Sequence, residues 1–562
     1  MTHPHNPTQP TPNSRRSFLE SVGKLGGAGA LYQSMLAMGL LHAPSAWAGP
    51  AKLPAGQGAG KTVVILGAGM AGLATAYELQ KAGYRCIILE ALARPGGRNF
   101  TARRGTQVIE DLGPNGRTVQ TCQFDDGLHV NLGAARLPFH HERVMHYCKQ
   151  FAIALEVYVM STTANLFQTD KAFGGQAMPR YRLANDVNSH IAELLNKAVN
   201  RNALDAEVTL EDRVRFIDMV RSFGGLPSEG PGTVGARTPR NNCLTPMKVE
   251  ATCPAHPRLP INELLNSNFW QHRVNQPLEG EWQPTLFQPV GGMDKLVDAF
   301  TQRLGKTIRY NAEVIEVINQ PDGVQVVVRD RKTGKTSTVQ SDYCISNMPM
   351  PKLVNVKSNL SDEFKQAVAQ VRIPPTYKLA WQAKRRFWEE PPYNMYGGIS
   401  YTDNPITQMF YPSHGYLGKS GVLAGSYAFG ANAIVFGNMT LAQRISAARR
   451  DAIKMLKEMA SEVVVPSNKA ISIAWHQAEG QCGGGALWDM SKPEERRAYQ
   501  RLLAPEGRFH VMGDQVSPLS GWIEGAFMSS EHAVLQITGK RPTLVSEMQR
   551  SPDALRMMGG VG

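Results

Sequence analysis

An α/β fold carrying a helical insertion is what the sequence predicts, and three observations predict it. Residues 61–90 run from a β-branched stretch through a glycine turn and an alanine-rich helical stretch into a second apolar run. Residues 308–330 and 374–412 show the alternation of strands, and residues 186–222 place apolar residues at helical spacing. At 562 residues the chain exceeds one ordinary core, so two or three domains are expected. A hydrophobic content of 42% with 19% charged residues describes a folded globular protein.

The first element reads KTVVILGAGMAGLATAYELQKAGYRCIILE. A strand over 62–66 meets Gly67-Ala68-Gly69-Met70-Ala71-Gly72, a helix follows, and a second strand over 86–89 ends at Glu90. Gly67 permits the tight turn, Gly69 lets the backbone approach a pyrophosphate, and Gly72 lets helix and strand pack closely. Phosphate would lie at the helix N-terminus beside Ala71, and Glu90 is placed to accept from ribose hydroxyls. The unit predicts a dinucleotide site.

Arg94-Pro95-Gly96-Gly97-Arg98 follows Glu90 directly, and the ExxxRxGGR pattern after such a unit resembles the FAD-dependent amine and L-amino-acid oxidases. The resemblance implies a Rossmann-like FAD-binding domain of the GR2 type, a mixed-sheet substrate domain and a helical insertion. It implies pyrophosphate contacts for Gly97 and Arg98. PVGGMDKLVDAF (289–300) resembles the segment returning to the flavin domain, and it leads into IRYNAEVIEVINQPDGVQVVVRD, where Asp322-Gly323 marks a hairpin. In the family a valine of the first run meets the adenine through its backbone, and Val314 matches it.

FHVMGDQVSPLSGWIEGAFMSSEHAV (509–534) resembles the last flavin segment. Asp514 stands where the family has a glutamate that binds the ribityl chain, one methylene shorter. Gly521, Trp522 and Ile523 follow as flavin-face lining, with the Gly521 carbonyl free to accept from a substrate amine. These matches imply a discontinuous FAD domain over 60–100, 276–375 and 500–540, and a substrate domain over 101–185 and 376–499. The remainder, 186–275, is expected to be helical, with Thr209 as a cap, Val214, Ile217 and Val220 on one face, and a Gly/Pro-rich loop over 223–260.

The catalytic expectations come last along this line. Lys378 precedes FWE at the family's distance and implies the lysine that holds a water against flavin N5. Arg136, in NLGAARLPFH, resembles the arginine that grips a substrate carboxylate, and Tyr427 the tyrosine that adds a second hydrogen bond. An unpaired guanidinium among small and apolar residues is costly, and a planar fork suits a carboxylate. Trp475 and Trp522 are expected as an aromatic cage. The cysteine that tethers FAD in animal monoamine oxidases is replaced by Gly485, so FAD is expected to be non-covalent. The implied activity is oxidation of L-amino acids to 2-oxo acids, with release of ammonia and hydrogen peroxide. An amine oxidase without a carboxylate requirement, and a dehydrogenase or monooxygenase on the same residues, stay open.

The ends and composition complete the reading. Arg15-Arg16, a weakly apolar run and Ala46-Trp47-Ala48 resemble a bacterial twin-arginine export signal over 1–48, implying a periplasmic or secreted protein with no membrane span after cleavage. The net charge of +13 is scattered, which argues against nucleic acid as a partner. Seven cysteines show no metal-ligating spacing, so no metal is expected, and Cys243 and Cys253 are near enough in sequence to bridge. The expected partners are an amino acid and molecular oxygen, and a homo-oligomer is compatible with the sequence.

Overall fold

Strand 62–66 is apolar from Val63 to Leu66 and buried at every position, as suits a central parallel strand. In the computed structural model it lies at the middle of a five-stranded sheet whose order is Ile308–Arg309, Arg85–Leu89, Thr62–Leu66, Tyr343–Ser346, Phe509–Val511, all pairs parallel. The structure describes residues 47, 49–226, 257–272 and 279–539. The described residues from Ala51 onward belong to one compact unit. The twin-arginine pair, both cysteines of the suggested bridge and most of the 223–260 loop lie outside the described residues.

Helix Met70–Lys81 covers the sheet together with Ile523–Ile537, and the Thr75 hydroxyl lies 2.7 Å from that of Ser530 between them. The expected hairpin forms from Ala312–Gln320 and Gly323–Asp330, in a four-stranded sheet. A seven-stranded mixed sheet forms the other half, in the order Met178–Pro179, Leu166–Gln168, Ile399–Thr402, Gln408–Phe410, Gly421–Phe429, Thr376–Ala383, Ala470–Ala474. Strand 376–383 is buried at all eight positions, so its Lys378 cannot escape to water along the strand.

The helical region departs from its expected pattern. Two helices, Arg180–Asn200 and Arg213–Gly224, are separated by turns. Thr209 accepts from the Asp212 amide at 3.2 Å and closes a turn ahead of the helix, so it does not cap it. Of the expected face only Val220 is buried, while Val214 is 68% exposed. The reason is steric: the helix meets its neighbour at its C-terminal end, where a Cβ on Gly224 would overlap Ala192.

One buried ion pair ties the second half together. Arg444 grips Glu110 in bidentate fashion at 2.9 and 2.7 Å, both side chains 3% exposed, and Glu110 also accepts from the Ala474 amide at 2.7 Å. The three segments held are helix Leu441–Met455, strand Gln107–Glu110 and the end of strand 470–474, which delivers Trp475. Removing one member strands a buried charge, at a cost of about 3–5 kcal/mol. Arg444→Leu should lose that much in equilibrium urea unfolding followed by tryptophan fluorescence. A loss below about 1 kcal/mol would show the pair to be replaceable by packing alone.

Candidate active site

The glycine turn sits at the C-terminal edge of the parallel sheet. Gly67 has φ +100°, a conformation side chains disfavour, and a Cβ on Gly69 would meet Asn347 Nδ2 at 2.7 Å. Gly69 forms a parallel bridge to Gly96, which lays the Gly96-Gly97 loop along the turn. Gly72 faces away from the site, and a Cβ there would overlap the Gly67 carbonyl, so it serves helix–strand packing. Glu90 accepts from the Ala68 and Leu92 amides at 2.7 and 2.9 Å. Burial pushes its carboxyl upward while these two donors oppose the shift. The acid expected for ribose thus also staples the turn to the second strand. A Cβ-free turn at the N-terminus of helix Met70–Lys81 and the adjacent Arg98 fit the phosphates of a dinucleotide.

Arg98 joins the two ends of the chain. Its guanidinium donates to the Gly484 carbonyl and to Asp514, whose second oxygen accepts from the Gly521 amide at 2.8 Å. Asp514, expected as a ribityl contact, is therefore also the bridge between the Gly-Gly-Arg loop and Gly521-Trp522.

Beyond that bridge the site changes character. Lys378 lies opposite Tyr427 in the antiparallel register, with its Nζ 4.6 Å from the Tyr427 ring centroid. Nζ donates to the Gly133 carbonyl at 2.7 Å and the Asn131 carbonyl at 3.3 Å. The Trp475 indole donates to the carbonyl between them, Leu132, at 3.0 Å. Three successive carbonyls are thus pinned just ahead of Arg136. Burial, reinforced by the Arg136 charge, lowers Lys378 to about 7.

Arg136 stands in a box of aromatic rings, its guanidinium 4.5 Å from the Trp282 ring, 5.8 Å from Phe410, 5.9 Å from Tyr158 and 6.0 Å from Trp522. Its Nε is buried without a hydrogen-bond partner, and among the described residues no carboxylate pairs with it. Phe410 also contacts Tyr427, with centroids 5.6 Å apart. Trp475, expected to face Trp522, is buried and packs edge-on against Phe100 at 6.4 Å. The indole that lies on Trp522 is Trp282, at 4.9 Å.

Both ends open into one cavity of about 2030 Å3, and of the site residues expected from the sequence only Gly72 does not line it. Sequence reasoning missed Trp282, Tyr158 and Phe410, which come from three distant segments. The one signal for them was a lone tryptophan in EGEWQP ahead of PVGG.

Residues 70–538 match the family of flavin-containing amine oxidoreductases. The chain belongs to that family. A flavin-dependent L-tryptophan oxidase of Lentzea aerocolonigenes is 27% identical over 85% of this chain and 98% of its own length. An L-amino-acid oxidase of the snake Echis ocellatus is 23% identical over 84% of this chain and 87% of its own. Among solved structures, cyclohexylamine oxidase of Brevibacterium oxydans overlays with a TM-score of 0.54 at 16% identity, covering 87% of this chain and all of that one. Putrescine oxidase overlays at 0.55 with 14% identity, covering 85% and 99%. This flavin amine oxidoreductase takes FAD without a covalent tether.

The lysine provides a test by pH. A lysine lowered by folding binds fewer protons in the native than in the unfolded state, so it makes stability rise with pH between about 7 and its ordinary 10.5. Each pH unit inside that window is worth about 1.4 kcal/mol. Urea unfolding at successive pH values should show wild type gaining on Lys378→Met by about this much per unit from neutral pH upward. A stability gap that does not change with pH would refute the buried lysine with a lowered value.

Proposed function

We propose that this flavin amine oxidoreductase oxidises L-amino acids, taking the substrate by its carboxylate on Arg136. The observation that carries the reading is the aromatic box: a guanidinium partly withdrawn from water, flanked by four rings and paired with no described carboxylate, in the same cavity as Lys378. Such a group stabilises an anion that brings its own two oxygens.

The reaction consumes an amino acid, oxygen and water, and gives a 2-oxo acid, ammonia and hydrogen peroxide. FAD, when bound, supplies the acceptor for the hydride leaving Cα. The protein's part is orientation and exclusion of water. Arg136 and the Tyr427 hydroxyl hold the carboxylate, the Gly521 carbonyl accepts from the amine, and together they aim Cα–H toward the cofactor end. Lys378, brought to about 7 and so about half neutral at neutral pH, offers Nζ to an ordered water, and the imine released from the cavity is hydrolysed. Trp282 and Phe410 flatten the space around Arg136 and keep its field unscreened.

Export by the twin-arginine route belongs to the same proposal. It rests on Arg15-Arg16 and Ala46-Trp47-Ala48, and no helix among the described residues is long and apolar enough to cross a membrane. A second reading, oxidation of amines without a carboxylate, is favoured by the fold shared with cyclohexylamine and putrescine oxidases.

One comparison separates the two. Loss of a charge-assisted pair in a water-poor pocket costs about 2–5 kcal/mol, so Arg136→Ala should lose roughly 30-fold to several thousand-fold in kcat/KM on amino acids. Bound flavin, read by absorbance, should be unchanged. Arg136→Lys should recover only part of the loss. For the decarboxylated amine of a good substrate, wild type should be poor and the Ala variant barely worse. Near-full activity of Arg136→Ala on amino acids, or a wild-type preference for the amine, would transfer the assignment to amine oxidation.

A further inference from the structure

Beside Trp282 lies a cluster that the proposed reaction does not use, one member of which, Glu281, also lines the cavity. His140 and His141 follow strand Leu137–Pro138, and Glu281 comes from the turn Gly280–Trp282, far along the chain. The Glu281 carboxylate spans both rings, with Oε1 2.5 Å from His141 Nε2 and Oε2 3.7 Å from His140 Nε2. One ligand atom from each of the three residues lies within 4.8 Å of the others.

We infer that His140, His141 and Glu281 form a binding site for a divalent cation of the zinc class. The chemistry of the set suits it: two imidazoles and one carboxylate are the ligands that zinc takes where a fourth position is left to water. Metal–ligand bonds of about 2.0–2.2 Å put ligand atoms roughly 3.3 Å apart in a tetrahedron, and the two observed separations lie on either side of that value. The cluster is also built into the fold. His141 is 2% exposed and packs edge-on against Trp522 at 5.0 Å, while His140 and Glu281 keep about 30% of their side chains open, a route for an ion from solvent. Both Nδ1 atoms are buried without a partner, so a simple hydrogen-bonded His–Glu pair leaves each ring half satisfied.

The position gives the site a consequence. Its ligands lie on the strand end that follows Arg136 and on the residue next to Trp282, the ring nearest the Arg136 guanidinium. A cation held there ties those two segments together and fixes the wall of the substrate end.

The test uses tag-free, FAD-loaded enzyme, stripped with chelator and dialysed, then titrated with Zn2+ by isothermal calorimetry. Metal content is measured after gel filtration. Wild type should take up one Zn2+ per chain, and His140→Ala and Glu281→Gln should each weaken binding at least tenfold. Glu281→Gln keeps the side chain's size and hydrogen bonding, so it decides the matter if His140→Ala fails to fold. Flavin absorbance and melting temperature report the fold of each variant. Failure of wild type to bind stoichiometrically, or tight binding retained by either folded variant, would overturn the site. Neither outcome bears on the Arg136 reading, which does not involve these ligands.

Discussion

Two basic side chains facing one cavity set the terms for the rest of this protein. Arg136 and Lys378 line the same cavity, and the Arg136 charge raises the cost of charging Lys378. The protein answers the two differently. Arg136 keeps its charge, because a guanidinium does so at any physiological pH, and is held by the faces of four rings. Lys378, lowered to about 7, gives up about half of its charge at neutral pH and is held by two carbonyls. Those carbonyls can be presented only if segment 131–133 is rigid. That rigidity comes from the Trp475 indole, placed by a strand whose end is fixed to Glu110 and Arg444. A salt bridge remote from the chemistry thus stands at the base of the substrate end.

The cofactor end rests on another long-range tie. Arg98 belongs to the first hundred residues and Asp514 to the last segment, and their pair carries the Gly521 amide with it. The strand over 62–66 and the strand over 509–511 do not touch, being separated by 343–346 in the sheet. The ion pair closes across that gap. It sets Trp522 at the boundary between the two ends, with Trp282 and His141 against its ring.

Legibility from sequence follows the range of the interactions involved. The glycine turn, the Asp322-Gly323 hairpin and the short spacing from Gly97 to Arg98 are local, and chain geometry alone constrains them. Lys378 was readable because an apolar strand on both sides of a lysine is itself a statement about burial. The aromatic box was not, since Tyr158, Trp282, Phe410 and Trp522 meet only after the three-stranded and seven-stranded sheets have formed. Trp475 does line the cavity, but its orientation was not legible: the polar handle of its indole is satisfied at Leu132, and that bond decides which way the ring faces. In the helical region periodicity identified the elements, and the face that packs was decided by one close approach at Gly224.

The two cations also make substrate binding and proton uptake one event on the amino-acid reading. Burial is the larger cause of the lowered Lys378, and the Arg136 charge is the second. A substrate carboxylate on Arg136 offsets that second cause while leaving the first in place. Lys378 then moves back toward its ordinary value, and the enzyme near neutral pH gains part of a proton as it gains its ligand. By the same linkage, acid favours binding of the carboxylate and alkali opposes it, over the range in which Lys378 titrates. A substrate without a carboxylate leaves the Arg136 charge unbalanced and produces no such coupling. The distinction between amino acid and amine is therefore carried by two residues acting on each other, as well as by the single pair that Arg136 makes.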